Sequence, residues 1–198
     1  EILGSLGDLT GLGEGVWMFN SSIGGDVGNI TGVSDLGGEG RAGVEISEVQ
    51  ILGDVGDITG TSQEEEGVYL DDMLVGGGIG NIEGMSQDND GVQMQQMLVG
   101  GDIAGITGEA QGNDRGEGVY MEEVVVDGSV GDVFGKSEDE DGVYMEEVLI
   151  QTNLGDVTGL SVGGKTAPAL ELVVGMGSNQ DRDRLLVGFF AGGGAAGG

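Results

Sequence analysis

The sequence predicts an all-β protein, a right-handed parallel β-helix (β-solenoid) of about seven coils, each of about 24 residues. Three observations predict it. The heptapeptide GVYMEEV stands at 118 to 124 and returns at 142 to 148. A second phrase, GDxTG with an aliphatic residue before it, starts at Leu6, Val27, Val55, Ile79, Ile103, Val130 and Leu154, at intervals of 21, 28, 24, 24, 27 and 24 residues. Glycine fills 46 of 198 positions against a single proline, Pro168, a composition that suggests many tight turns and excludes collagen.

Within a unit the apolar letters fall two apart. Val16, Val44, Val68, Val92, Val119 and Val143 form one column, and Met18, Ile46, Leu70, Met94, Met121 and Met145 form the next but one. A tolerant column lies between them, so the spacing is that of a half-buried strand. After the acidic pair a second alternation runs through Val49, Met73, Met97, Val124 and Val148 to Ile51, Val75, Val99, Val126 and Ile150. Its intervening column, Leu74, Leu98, Val125 and Leu149, is apolar as well, as expected of a face covered on both sides. The GDxTG phrase reads as a short strand with a bend. Each unit is then three short strands joined by glycine-rich or acidic corners.

A helical repeat fails on glycine, which costs about 1 kcal/mol at each interior helix position. A leucine-rich repeat fails for want of its run of aliphatics and its Asn column. The repeat explains the doubled heptapeptide: coils about 4.8 Å apart must present the same side chain to the same stack. Residues 1 to 177 are read as the solenoid, and 178 to 198 as a charged, then apolar and glycine-rich tail suited to assembly.

Thirty-six acidic residues against six basic ones give a formal charge of −30, which excludes nucleic acid as a partner and favours cations or high salt. No apolar run is long enough to span a bilayer; the longest weakly polar stretch, 185 to 198, has 14 residues. Cysteine and histidine are absent, so disulfides, thiolate chemistry and a Ser–His–Asp site are excluded. A start at Glu1, with no basic-then-apolar segment, fits a processed product that is extracellular or at the cell surface.

The corner before GVYM is the most acidic element: SQEEEG at 62 to 67, SQDNDG at 86 to 91 and SEDEDG at 137 to 142. Carboxylates stacked at about 4.8 Å repel by about 0.9 kcal/mol per pair in water, so counter-charge should bind. Glu65, Asp88, Asp90, Asp139 and Asp141 supply hard oxygen beside flexible glycine, the chemistry of calcium; the bland reading is a solvated turn. Asp57, Asp132 and Asp156 stand in the Asp/Asn column of GDxTG, where corner hydrogen bonding is the default and calcium secondary.

The aromatic column of Trp17, Tyr69, Tyr120 and Tyr144 could stack on sugar rings, which makes carbohydrate a candidate partner, though tyrosine is also simply a good strand residue. One threonine per coil, broken by Glu83 and Phe134, is poor material for an ice-binding face. The pairs Glu122 with Glu123 and Glu146 with Glu147 repeat instead of forming one singular site, so no enzyme is expected.

In coil length and columns, residues 6 to about 177 resemble the secreted β-solenoid repeat proteins used as adhesins and surface fibres. That resemblance implies a structural role and transfers no active site. The functional expectation is a self-assembling extracellular filament of head-to-tail solenoids, a homopolymer, with a polysaccharide-binding or polysaccharide-cleaving β-helix as the alternative. Leu185, Leu186, Val187, Phe189 and Phe190 of the tail, with the Leu74, Leu98, Val125 and Leu149 column, are the expected assembly residues.

Overall fold

A computed structural model of the chain describes residues 1 to 35, 41 to 112, 116 to 162 and, as backbone, 170 to 174. Its strands in chain order are β1 (Leu9–Gly13), β2 (Val16–Ile23), β3 (Ile30–Ser34), β4 (Val44–Ile51), β5 (Ile58–Ser62), β6 (Val68–Val75), β7 (Ile79–Ser86), β8 (Val92–Val99), β9 (Ile103–Ala110), β10 (Val119–Val126), β11 (Val133–Ser137), β12 (Val143–Ile150), β13 (Val157–Ser161) and β14 (Leu170–Val174). Odd strands form one seven-stranded sheet and even strands another, and every strand pairs in parallel with the strand two away in sequence. This is the expected β-solenoid. Seven strands per sheet bound about six complete turns, one fewer than a count of seven coils suggests.

The register stacks like on like: Tyr120 on Tyr144, Met121 on Met145, Thr31 on Thr59, Gly60 on Gly84. The core is therefore a set of columns. Ile30, Ile58, Ile82, Ile106 and Val133 come from the odd sheet, and the Val, Met/Leu, Val/Met and Ile/Val columns of the even sheet face them; all but Val16 and Met18 of the first coil are buried.

The expectation of three strands per unit is corrected to two, plus a single parallel bridge at the Val27, Val55, Ile79, Ile103 column. Both predicted alternations lie in one eight-residue strand, such as β10. The join is the second member of the acidic pair. Asn20, Glu48, Asp72, Gln96, Glu123 and Glu147 all have φ between 46° and 54°. A simple period of two would turn Glu123 inward. The left-handed residue inserts one extra outward position, so Val119, Met121, Val124 and Val126 all reach the core while Glu122 and Glu123 both face out.

Tight turns are not what most of the glycine is for. Gly60 would bring a Cβ to 1.9 Å from the Gly67 carbonyl oxygen, Gly84 to 1.8 Å from that of Gly91, and Gly108 to 1.7 Å from that of Gly118. Gly67 and Gly91 in turn would drive a Cβ to 2.2 Å from the amide nitrogens of Met85 and Glu109 in the next coil. Two glycine columns thus meet back to back where the odd sheet passes into the even one. Positive φ explains glycine at Gly13 and Gly15, in the shortest corner.

Gly84→Ala is expected to destabilise the fold by more than about 4 kcal/mol, because backbone and not a flexible side chain occupies the Cβ position. Urea denaturation of the variant beside Thr59→Ala, an outward-facing control, measures this.

Candidate functional site

Because the coil repeats, its candidate functional features are columns. The Asp/Asn column of GDxTG is a ladder between coils. The amide of Asn29 donates to Asp8 Oδ1 (2.8 Å), that of Asp57 to Asn29 Oδ1 (2.9 Å), that of Asn81 to Asp57 Oδ1 (2.7 Å) and that of Asp156 to Asp132 Oδ1 (3.0 Å). A second ladder, not anticipated from the sequence, joins Asp26 N–H to Ser5 Oγ, Asp54 N–H to Asp26 Oδ1, Gly78 N–H to Asp54 Oδ1 and Ser129 N–H to Asp102 Oδ1. Asp57 and Asp132, named as calcium ligands, each spend one carboxylate oxygen on this backbone bond. Asp156 is exposed at the last coil.

The acidic corner is pinned by serine. Ser62, Ser86 and Ser137 are buried; their hydroxyls donate to carbonyls of the preceding coil, Arg41, Glu65 and Gly116, and accept the amides of Glu65, Asn89 and Glu140 three residues on. That recurring Ser at the head of SQEEEG, SQDNDG and SEDEDG is the signal a reading of the carboxylates alone passes over.

Of the corner acids, Asp88 is exposed and Asp139 and Asp141 are half-buried. Glu65 and Glu66 both accept from the Asn89 amide, at 3.4 and 2.9 Å. Asp90 is 5% exposed, accepts the Glu117 amide at 2.7 Å and lies against the Glu117 carboxyl of the next coil. Burial first, then that carboxyl, pushes Asp90 well above the usual carboxylate range, which favours its protonated form. Burial also raises Glu66. Among the described residues, no three acidic side chains converge to hold a metal ion.

On the outer face of the even sheet Tyr120 and Tyr144 stack at 5.1 Å and 7° and donate to Glu122 and Glu146 at 2.8 and 2.5 Å. Burial and the Glu122 carboxylate push the Tyr120 phenol up; the hydrogen bond to Glu146 is foremost in pushing Tyr144 up to about 12. Arg41 lies 4.8 Å over the Trp17 ring, which also stacks on Phe19. Tyr120 and Tyr144 thus turn one face on each other and Trp17 one face on Arg41, while Trp17 stays 55% exposed. Lys136, the other described basic residue, pairs with Glu109.

The Leu74, Leu98, Val125 and Leu149 column faces outward. Leu98 is 41% exposed and the other three half-buried. Leu185, Leu186, Val187, Phe189 and Phe190 lie outside the described residues. No described helix could cross a membrane. Compared with protein-family models, curated proteins and solved structures, the chain matches none.

Asp57→Ala should cost about 1–2 kcal/mol while Asp57→Asn stays close to wild type, since Asn29 and Asn81 already serve in the column. Denaturant midpoints of the two variants decide it.

The Asp90 carboxyl binds its proton more tightly folded than unfolded, where its value is about 3.9. Its contribution is therefore complete below about pH 4 and is lost as pH rises toward the elevated folded value. Asp90→Asn, which keeps the acceptor for Glu117 N–H, should reduce the fall in Tm between pH 5 and 8 by about 3 °C or more. Calorimetry at the two pH values tests this.

Proposed function

We propose that the protein is the structural subunit of a self-assembling extracellular filament, its solenoids stacked head to tail and its acidic surface balanced by cations such as calcium. The supporting observation is the complementarity of the two outer edges of the described stack. Leu3, Leu12, Trp17 and Phe19 are exposed on the first coil, and Leu160 and Val162 on the last. Leu6, Leu9, Leu154 and Val157, core-column residues of the end coils, are only partly buried.

The ladder runs in one direction. Each bonded coil lends a carboxyl or amide oxygen to the amide of the next, with an interruption at Gly105, and the column opens on the Asp8 amide and closes on the Asp156 carboxylate. A second copy stacked in register would give Asp8 N–H the Asp156 Oδ1, and Gly7 N–H the Leu154 carbonyl. It would give Val157 N–H the Asp8 carbonyl, repeating the pattern of the Gly28–Leu6 and Val133–Asp156 bonds. The junction would then be one more rung. With a charge of −30 on each copy, screening salt or divalent cations promote the stacking.

Thr10 and Thr158 stand in the same outward column, so stacked copies bring them about 4.8 Å apart. Thr10→Cys with Thr158→Cys, treated with a short thiol-to-thiol cross-linker in molar salt, should give a ladder of multimers on denaturing gels, while each single variant stops at dimers. Wild-type electron micrographs should contain rods many chains long. Micrographs of single-chain particles only, in salt and in calcium alike, would reject the filament.

A further inference from the structure

In the even strands β6 to β12 four side chains point outward, at the second, fourth, fifth and seventh positions. In β10 these are Tyr120, Glu122, Glu123 and Val125, and β6 and β12 repeat the order aromatic, acid, acid, aliphatic. β8 keeps the aliphatic Leu98 and puts Gln93, Gln95 and Gln96 in the other three places. The parallel register turns that order into lanes along the stack, two of carboxylates between a tyrosine rail and an aliphatic rail. From β6 to β12 the lanes run over three rungs, about 14 Å, and from rail to rail they span about 17 Å. A shallow groove follows the second carboxylate lane and the neighbouring rail over β2 to β8 and reaches Glu123.

Strands β4, β6, β10 and β12 each carry two carboxylates, and the even strands from β2 to β12 carry no Lys or Arg. The acids are held in place by their neighbours. Tyr120 Oη and the Gln95 amide both donate to Glu122 Oε2, and Tyr144 Oη donates to Glu146 Oε2, leaving Oε1 of each as an acceptor. Among the described residues no three acidic side chains converge on a metal position, so the lanes suit a ligand that reaches across them better than a point ion. The chain itself shows which cation such a rail accepts. On the first rungs of the same face the Arg41 guanidinium lies 4.8 Å over the ring of Trp17, which stands in the rail column, and shares a hollow with Glu45, Glu66 and Tyr69. A planar guanidinium stacks on an aromatic ring and fits a carboxylate with two donors, whereas an ammonium acts as a point charge.

We infer that the outer face of the even sheet is a docking lane for an extended segment of another protein in which arginines alternate with apolar residues. Its backbone lies along the stack, over the lane of Asp72, Glu123 and Glu147. Arginine side chains turn to Glu122, Glu146 and the tyrosine rail. Apolar side chains turn the opposite way, onto Leu98, Val125 and Leu149, as the alternation of an extended chain requires. About five residues cover the 14 Å. Charge complementarity selects the partner, since a second copy of this chain would bring the same acidic face and be repelled. The lane is complete within one chain and does not depend on filament formation.

Fluorescence anisotropy of a labelled octapeptide of alternating Arg and Leu, titrated with the full chain in about 0.15 M salt, tests this. Binding should be about tenfold tighter than that of a Lys–Ser octapeptide of equal charge. Glu123→Gln with Glu147→Gln should weaken it about tenfold; Glu83→Gln with Asp88→Asn, which remove the same charge at exposed positions off the lane, should weaken it less than about twofold. Leu98→Ser should weaken the Arg–Leu peptide about fivefold and leave an Arg–Ser octapeptide unaffected. An unchanged circular dichroism spectrum qualifies each variant. Equal losses from the two charge pairs, or equal affinity for the Arg–Leu and Lys–Ser peptides, would assign the attraction to the overall charge of −30 and overturn the lane. Failure of the Arg–Leu peptide to bind the wild-type chain would overturn it as well.

Discussion

The contact on which the rest of the fold depends is backbone against backbone, at the paired glycines where each coil turns from one sheet to the other. With Gly60 under Gly67, Gly84 under Gly91 and Gly135 under Gly142, no side chain intervenes, and the two sheets converge until peptide groups touch. The cross-section is therefore a wedge, closed at the glycine corner and filled elsewhere by columns of Val, Ile, Leu and Met. A methyl group at the apex would push the sheets apart in its own coil and, through the parallel ladder, in its neighbours.

A second constraint is the phase of the even strands. Eight residues cannot alternate strictly and still bury four side chains in this pattern, so the backbone takes one left-handed step in each coil. The left-handed conformation costs an L residue about 1–2 kcal/mol; Asn and Asp meet it most easily, a β-branched side chain least, and Glu48, Gln96, Glu123 and Glu147 adopt it with their polar side chains in water. Part of the acidity thus has a conformational origin: the step must face solvent, and polar residues fill it. In the buried corner the Asp90 carboxyl, pushed well above the usual carboxylate range by burial and the neighbouring Glu117, favours its neutral form, which lowers the stacked repulsion there.

Coil length, the parallel stack and the inward columns were legible in the sequence because they rest on periodicity, which survives without knowledge of tertiary contacts. The glycine content reads as tight turns, whereas Gly60 and Gly67 serve close approach of backbone, because the two demands leave the same letter. The bend at Glu123 was invisible because glutamate carries no left-handed signal of its own. The Asp8–Asn29–Asp57 column could be identified as corner hydrogen bonding, but the fact that its bonds link successive coils emerges only once the coils are stacked. The outward position of Leu98 was uncertain from the sequence for a related reason: a fully covered strand and a strip awaiting a cover have the same apolar pattern.

All variation in coil length is confined to one corner. The gap is two residues between β1 and β2, nine between β3 and β4, eight between β9 and β10, and five between β5 and β6, β7 and β8, and β11 and β12. On the opposite side six residues separate Ile23 from Ile30, Ile51 from Ile58, Val126 from Val133 and Ile150 from Val157. One side of the coil acts as a ruler and the other as a display port. Foreign loops spliced between Ser86 and Gly91 would project at a defined height along the stack, and several such grafts would be spaced by whole multiples of a single step.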